Sequence, residues 1–69
     1  MNIFPGDPVQ VNKVWASSES GVYRSWVSGY QWVRQDGNCA IVSPQTGTYQ
    51  FQEVRYPLAD VRPDTGHHG

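Results

Sequence analysis

One cysteine, Cys39, stands among the 69 residues, so no intramolecular disulfide can staple the fold. Small secreted domains lean on such staples, and their absence points to a soluble protein of the reducing cytoplasm. No apolar run approaches the roughly 20 residues that span a bilayer. The opening Met1-Asn2-Ile3-Phe4-Pro5 has neither the charged nor the long apolar part of a secretion signal. No excess of charge exists either: five basic and six acidic residues leave a net charge of −1, without a block of one sign. Non-specific nucleic-acid binding needs a basic stripe, and Arg24, Arg34, Arg55 and Arg62 are scattered. No segment of useful length has helical periodicity, and nothing repeats.

Catalytic and metal-binding patterns are missing as well. The two histidines, His67 and His68, sit in a polar tail that cannot orient a general base. Two histidines and one distant cysteine are not a zinc site, which wants four ligands at defined spacing. No glycine-rich phosphate loop precedes a helix. Cys39, in Asn38-Cys39-Ala40-Ile41-Val42, reads as a small core residue. The expectation is a protein without enzyme activity, metal or cofactor.

What the chain does have is alternation and turns. Residues 9–14, 23–33, 39–42 and 49–54 read as strands. Pro5-Gly6, Ser20-Gly21, Asp36-Gly37 and Thr46-Gly47 separate or precede them. Val9 and Val11 are the expected core face of the first strand. Trp15 then opens a polar loop to Gly21. Residues 23–33 are too long for one flat strand in so small a domain, and Ser28-Gly29 marks a bend or bulge. Gln35-Asp36-Gly37-Asn38 signals a hairpin of type I′. Pro44 cannot donate to a ladder and ends the pairing there. Tyr56-Pro57-Leu58-Ala59-Asp60 reads as a 3₁₀ turn, and Val61-Arg62 as a short closing strand. The predicted layout is one all-β domain: a small five-stranded antiparallel barrel over residues 6–63, with a short 3₁₀ turn before the last strand. Residues 1–5 and 64–69 are expected to be a flexible start and a disordered tail.

Three local patterns resemble the SH3-like barrels, and among them the Tudor and Agenet-type group. Gly6-Asp7-Pro8-Val9-Gln10-Val11 is similar to the Gly-Asp-x-Val-x-Val opening of such barrels. Val22-Tyr23-Arg24-Ser25-Trp26-Val27 is similar to their Trp-Tyr-Arg-Ala-x-Val strand, with Val22 where an aromatic is usual. Val61-Arg62-Pro63 resembles their closing Leu-Arg-Pro. The resemblance implies an aromatic cage for a methylated Lys or Arg, for which Trp15, Tyr23, Tyr49 and Phe51 are the candidates, with Glu53 as a nearby anion. A weaker resemblance is to the plasmid-borne type II dihydrofolate reductases, SH3-like subunits that share a pore in a tetramer. Tyr56-Pro57-Leu58-Ala59-Asp60-Val61 is similar to their Tyr-Pro-Val-Ala-Ala-Leu. Glu53-Val54-Arg55-Tyr56 replaces the Val-Gln-Ile-Tyr that lines the pore.

Nine aromatic residues are more than the about four or five that a core this small absorbs. The surplus is expected at the surface, where exposed aromatics mark partner or oligomer interfaces. Trp26, Tyr30 and Trp32 alternate at about 6.8 Å steps and read as one exposed stripe, with Arg24 and Arg34 at its edges. Tyr23, Val27 and Val33 then supply the core. The functional expectation is a small binding module that shows this surface to a protein or peptide. A phage- or plasmid-type accessory protein fits the size. The alternatives are a domain that stacks single-stranded nucleic acid on its rings, and an enzyme subunit whose site forms only in a homo-oligomer.

Overall fold

The computed structural model describes residues 3–19 and 21–64. Five strands, β1 (Pro8–Ser17), β2 (Gly21–Asp36), β3 (Cys39–Pro44), β4 (Val54–Pro57) and β5 (Val61–Pro63), form one antiparallel sheet. Their order is β4-β3-β2-β1-β5, which is compatible with an SH3-like fold. A 3₁₀ turn, Leu58–Asp60, precedes β5 as expected. His67 and His68 lie outside the described residues.

The 16-residue β2 carries the architecture. Its first half pairs with β1 and its second half with β3, and Tyr30 and Gln31 belong to both ladders. Between them the strand has to bend, and two irregularities provide the bend. Val9 pairs with Tyr30 and Val11 with Val27, so β2 spends one residue more than β1 there. Gly29 absorbs it at φ +95°, where an L side chain would be strained. Trp32 pairs with Val42 and Arg34 with Ile41, which leaves Val33 as a second extra residue.

These bulges decide which side chains face inward. Val9 and Val11 are fully buried, and their partners Tyr30 and Val27 pack on the same side. Without the extra residue, Val27 and Tyr30 would point to opposite faces. The core is Val9, Val11, Trp32, Ala40, Val42 and Val61, with Ile3, Val27, Tyr30, Val54, Tyr56 and Leu58 around it. Residues from β4 and β5, the two edges, join the same cluster, so the sheet curls over one core. Val33, expected inside, is half-buried and outside this cluster because it is itself the bulged residue. Tyr23, also expected inside, is 50% exposed.

Other expectations change for local reasons. The stretch 49–53 is not a strand. Gln50 N–H donates to the Gly47 carbonyl and Gln52 N–H to the Tyr49 carbonyl, so the backbone turns twice. Residues 49–51 lie in the connection past the end of β3, and although Ser43 and Pro44 stand opposite Glu53 and Gln52 in the register, the ladder begins only where Val54 meets Val42. Conversely, the strand expected to stop at Val14 runs on to Ser17, with Trp15 opposite Tyr23. Gly37 takes φ +63°, while among the described residues no non-glycine residue has a positive φ. The Gly37-Asn38 turn therefore has the φ pattern of type II′ rather than type I′. Cys39 is half-buried and alternates with Ala40 and Val42, so it lies on the face away from the core.

That outer face has its own cover. Ile41 is 3% exposed, and its cross-strand neighbours are Arg34 and Arg55. Arg34 pairs with Glu53 at 3.0 Å and Arg55 with Asp36 at 2.7 Å. Exposed pairs of this kind add little stability by themselves. They do anchor two long aliphatic stems beside Ile41, and such stems shield apolar surface.

Candidate functional site

Beyond Val11 the first two strands leave the body of the sheet. β5 pairs with β1 only at Val9, Gln10 and Val11, and β3 pairs with β2 only from Tyr30 onward. Residues 12–17 and 21–27 thus form a two-stranded arm. A free hairpin is marginal in water, and this one is held by its cross-strand pairs. Trp15 Nε1–H donates to Ser25 Oγ at 2.7 Å.

Cross-strand partners share a face. Val11, Lys13 and Trp15, with Val27, Ser25 and Tyr23, continue the face that holds the core. There the Lys13 ammonium lies 5.8 Å from the centre of the Trp15 ring and 5.4 Å from that of Tyr30. Both are cation–π distances. Asn12, Val14 and Ala16, with Trp26, Arg24 and Val22, make the opposite face. There Arg62 stacks on Trp26 at 4.0 Å, and its Nε–H donates to Gln10 Oε1 at 2.8 Å. Asp60 accepts from Asn12 Nδ2 at 3.4 Å and from Arg24 at 3.5 Å, and makes no side-chain cap on its own turn.

The Trp26, Tyr30, Trp32 stripe is therefore divided. Trp32 is 8% exposed and belongs to the core, and Tyr30 packs against that core. Trp26 lies across the sheet from both, because the Gly29 bulge reverses the alternation between Trp26 and Tyr30. Arg24 and Arg34 stand in separate ion pairs, with Asp60 and Glu53. Of the cage candidates, Trp15 and Tyr23 are brought together on the arm. Tyr49 and Phe51 stand exposed on the 47–52 turns, and Glu53 is engaged by Arg34. Lys13, Ser25 and Arg62 were not singled out by the sequence reading. The i, i+2 spacing of Lys13 and Trp15 was the available signal for Lys13.

Tyr56, on β4, closes the inner end of the Lys13 face. Its proton is held above the ordinary value of 10.0, first by burial, then by the Tyr30 phenol through charge and a hydrogen bond, with Lys13 opposing. Lys13 is also raised, chiefly by its hydrogen bond to Tyr30. Both contributions to stability are intact below the unfolded-chain values, near 10, and are lost as pH rises through the folded-state ones. Stability is thus expected to decline above about pH 10. Tyr56→Phe should blunt that decline, as read from urea midpoints at neutral and alkaline pH.

Among the described residues, no three His, Cys, Asp or Glu side chains gather as metal ligands would, and no helix is long and apolar enough to cross a membrane. No family model matches the chain, and no curated protein or solved structure matches it.

Proposed function

We propose that this chain is a non-enzymatic binding module of SH3-like architecture that offers its β1–β2 arm to a protein or peptide partner. One observation carries the reading. Five large apolar side chains, Val14, Trp15, Val22, Tyr23 and Trp26, are 37% to 71% exposed, and all lie on this arm. Trp15 and Tyr23 lie on the core-continuing face and Val14, Val22 and Trp26 on the other, so the arm shows apolar surface on both sides, whereas Phe4, Tyr49 and Phe51 are exposed elsewhere. Apolar side chains gathered on one element mark an interaction surface more than scattered ones do. Trp and Tyr are also the residues that most often dominate binding energy.

The charges support a protein over a nucleic acid. Arg24, Arg34 and Arg55 are each paired with a carboxylate. Phosphate binding would have to break those pairs or rely on the two remaining cations, Lys13 and Arg62.

Selection of peptides from a displayed random library on the intact chain tests the reading. Enriched peptides are expected to bind with micromolar affinity and to lose about tenfold or more on Tyr23→Ala, a cost near 1.4 kcal/mol. Trp26→Ala on the other face should leave the fold intact. Failure to enrich any peptide, or binding indifferent to every arm substitution, would sink the proposal. Tight, salt-sensitive binding of single-stranded oligonucleotides would replace it with the stacking alternative.

A further inference from the structure

Taking the arm as the binding surface, we infer that its Lys13 face receives a peptide through an internal Glu or Asp side chain set between apolar residues. The order along this face is rings, cation, rings. Trp15 and Tyr23 stand opposite each other at the outer end, Lys13 and Ser25 in the middle, and Tyr30 and Tyr56 at the inner end. The Lys13 ammonium is 5.8 Å from the Trp15 ring centre and 5.4 Å from that of Tyr30. Charge selects what this face takes. Arg24, Arg34 and Arg55 each have a carboxylate partner, and Lys13 has none among the described residues. Hydrogen bonding to Tyr30, burial and the Tyr56 phenol act on its charge, and no carboxylate does. Lys13 is half-buried as well, so water screens it only in part. Ser25 adds a second donor. Its Oγ accepts from Trp15 Nε1–H at 2.7 Å, which leaves its own proton to give. An ammonium opposite a hydroxyl donor is answered by a carboxylate, which only accepts, and such charge-assisted bonds are the strong ones.

The opposite face of the arm lacks this character. Arg62 stacks on Trp26 there, but Gln10 links it to Asp64, and Asp60 stands beside Arg24. Two carboxylates on that side repel an acidic ligand, whereas the Lys13 side carries a cation alone. The rings also say where in the ligand the carboxylate lies. Apolar surface is present on both sides of Lys13, so the bound chain runs on in both directions from its acidic group. That places the carboxylate on a side chain and not at a chain end. Side chains on one face of an extended peptide recur about every 6.8 Å, the step that also separates Trp15, Lys13 and Val11 on β1. A peptide laid along β1 therefore matches it with apolar, acidic and apolar residues at alternate positions.

The probes are libraries of random peptides displayed inside a carrier loop, without a free end, with Glu, Gln or Lys fixed at the centre. A further library ends in a free C-terminal carboxylate. On the intact wild-type chain, the Glu-centred library is expected to yield binders with apolar residues at alternate positions around the Glu. They should bind about tenfold or more tighter than the best Gln- or Lys-centred ones. Lys13→Gln should remove that advantage and leave Gln-centred binders unchanged, and Lys13→Glu should turn the preference toward the Lys-centred library. Circular dichroism checks that each variant folds, and the comparison of libraries on the wild-type chain needs no variant. Equal affinity across the centred libraries overturns the inference. So does a Glu preference that survives Lys13→Gln, or tighter binding of the library with the free C-terminal carboxylate. Salt-sensitive binding of a single-stranded oligonucleotide that Lys13→Gln abolishes would put a phosphate on this face and overturn it too. Binders that ignore both the central residue and Lys13, yet are lost on Tyr23→Ala, defeat this inference and leave the binding-module reading standing. If no library yields a binder, the binding-module reading fails and takes this inference with it.

Discussion

A chain with Asp in place of Val42 is expected to show no cooperative thermal unfolding and the circular dichroism of a disordered polypeptide. Val42 is fully buried, pairs with Trp32 on one side and Val54 on the other, and belongs to the core cluster. No basic side chain is among the core residues around it. An unpaired carboxylate there costs several kcal/mol, or must take up a proton to avoid that cost. The whole fold of so short a chain rests on on the order of 0.1 kcal/mol per residue. Removal of one buried branched side chain and insertion of one charge together exceed that margin. A cooperative melt at the wild-type temperature would mean that β3 does not lie where the register puts it.

Trp32→Ala is expected to destabilise the fold by about 3–5 kcal/mol, measured by urea unfolding at neutral pH. Trp26→Ala in the same strand is expected to cost much less. Trp32 is 8% exposed and fills the space between Val9, Val42 and Val61, whereas Trp26 is 37% exposed and covered on one side by Arg62. The enclosed neighbours of Trp32 in the cluster are the smaller Val9, Val11, Ala40, Val42 and Val61, which cannot fill the volume of an indole. Equal and small losses for both variants would contradict the bulge at Gly29, since without it Trp26 and Trp32 would share a face.

Much of the fold was legible in the chain because its signals are local. Val9 and Val11 alternate on the core face, Pro44 ends β3, Gly29 marks the bulge, and Leu58-Ala59-Asp60 makes the 3₁₀ turn before Val61. Each depends on the conformational limits of one or two residues, and those limits act before any packing does. The alternation of Tyr49, Phe51 and Glu53 was as clean as that of β1 and yet forms no strand. A strand needs a neighbour as well as a pattern, and Tyr49 and Phe51 fall in the turns that connect β3 to β4.

The surface is where tertiary structure decided alone. Composition established that nine aromatics exceed what one small core absorbs. Which rings of β2 stay outside depended on the single-residue bulge at Gly29, while a second bulge, at Val33, turned only Arg34, Gln35 and Asp36. Gly29 announced the first bulge, and Val33 gave no sign of the second. The pairing of Lys13 with Trp15 and Tyr30, of Arg62 with Trp26, and the free edge beyond Val11 all arise where β5 stops short of β1's length. The sequence by itself determined the strand class, the turns and the surplus of rings. Only the register, a sum of long-range contacts, put Trp32 inside and left Val14, Trp15, Val22, Tyr23 and Trp26 exposed on an arm.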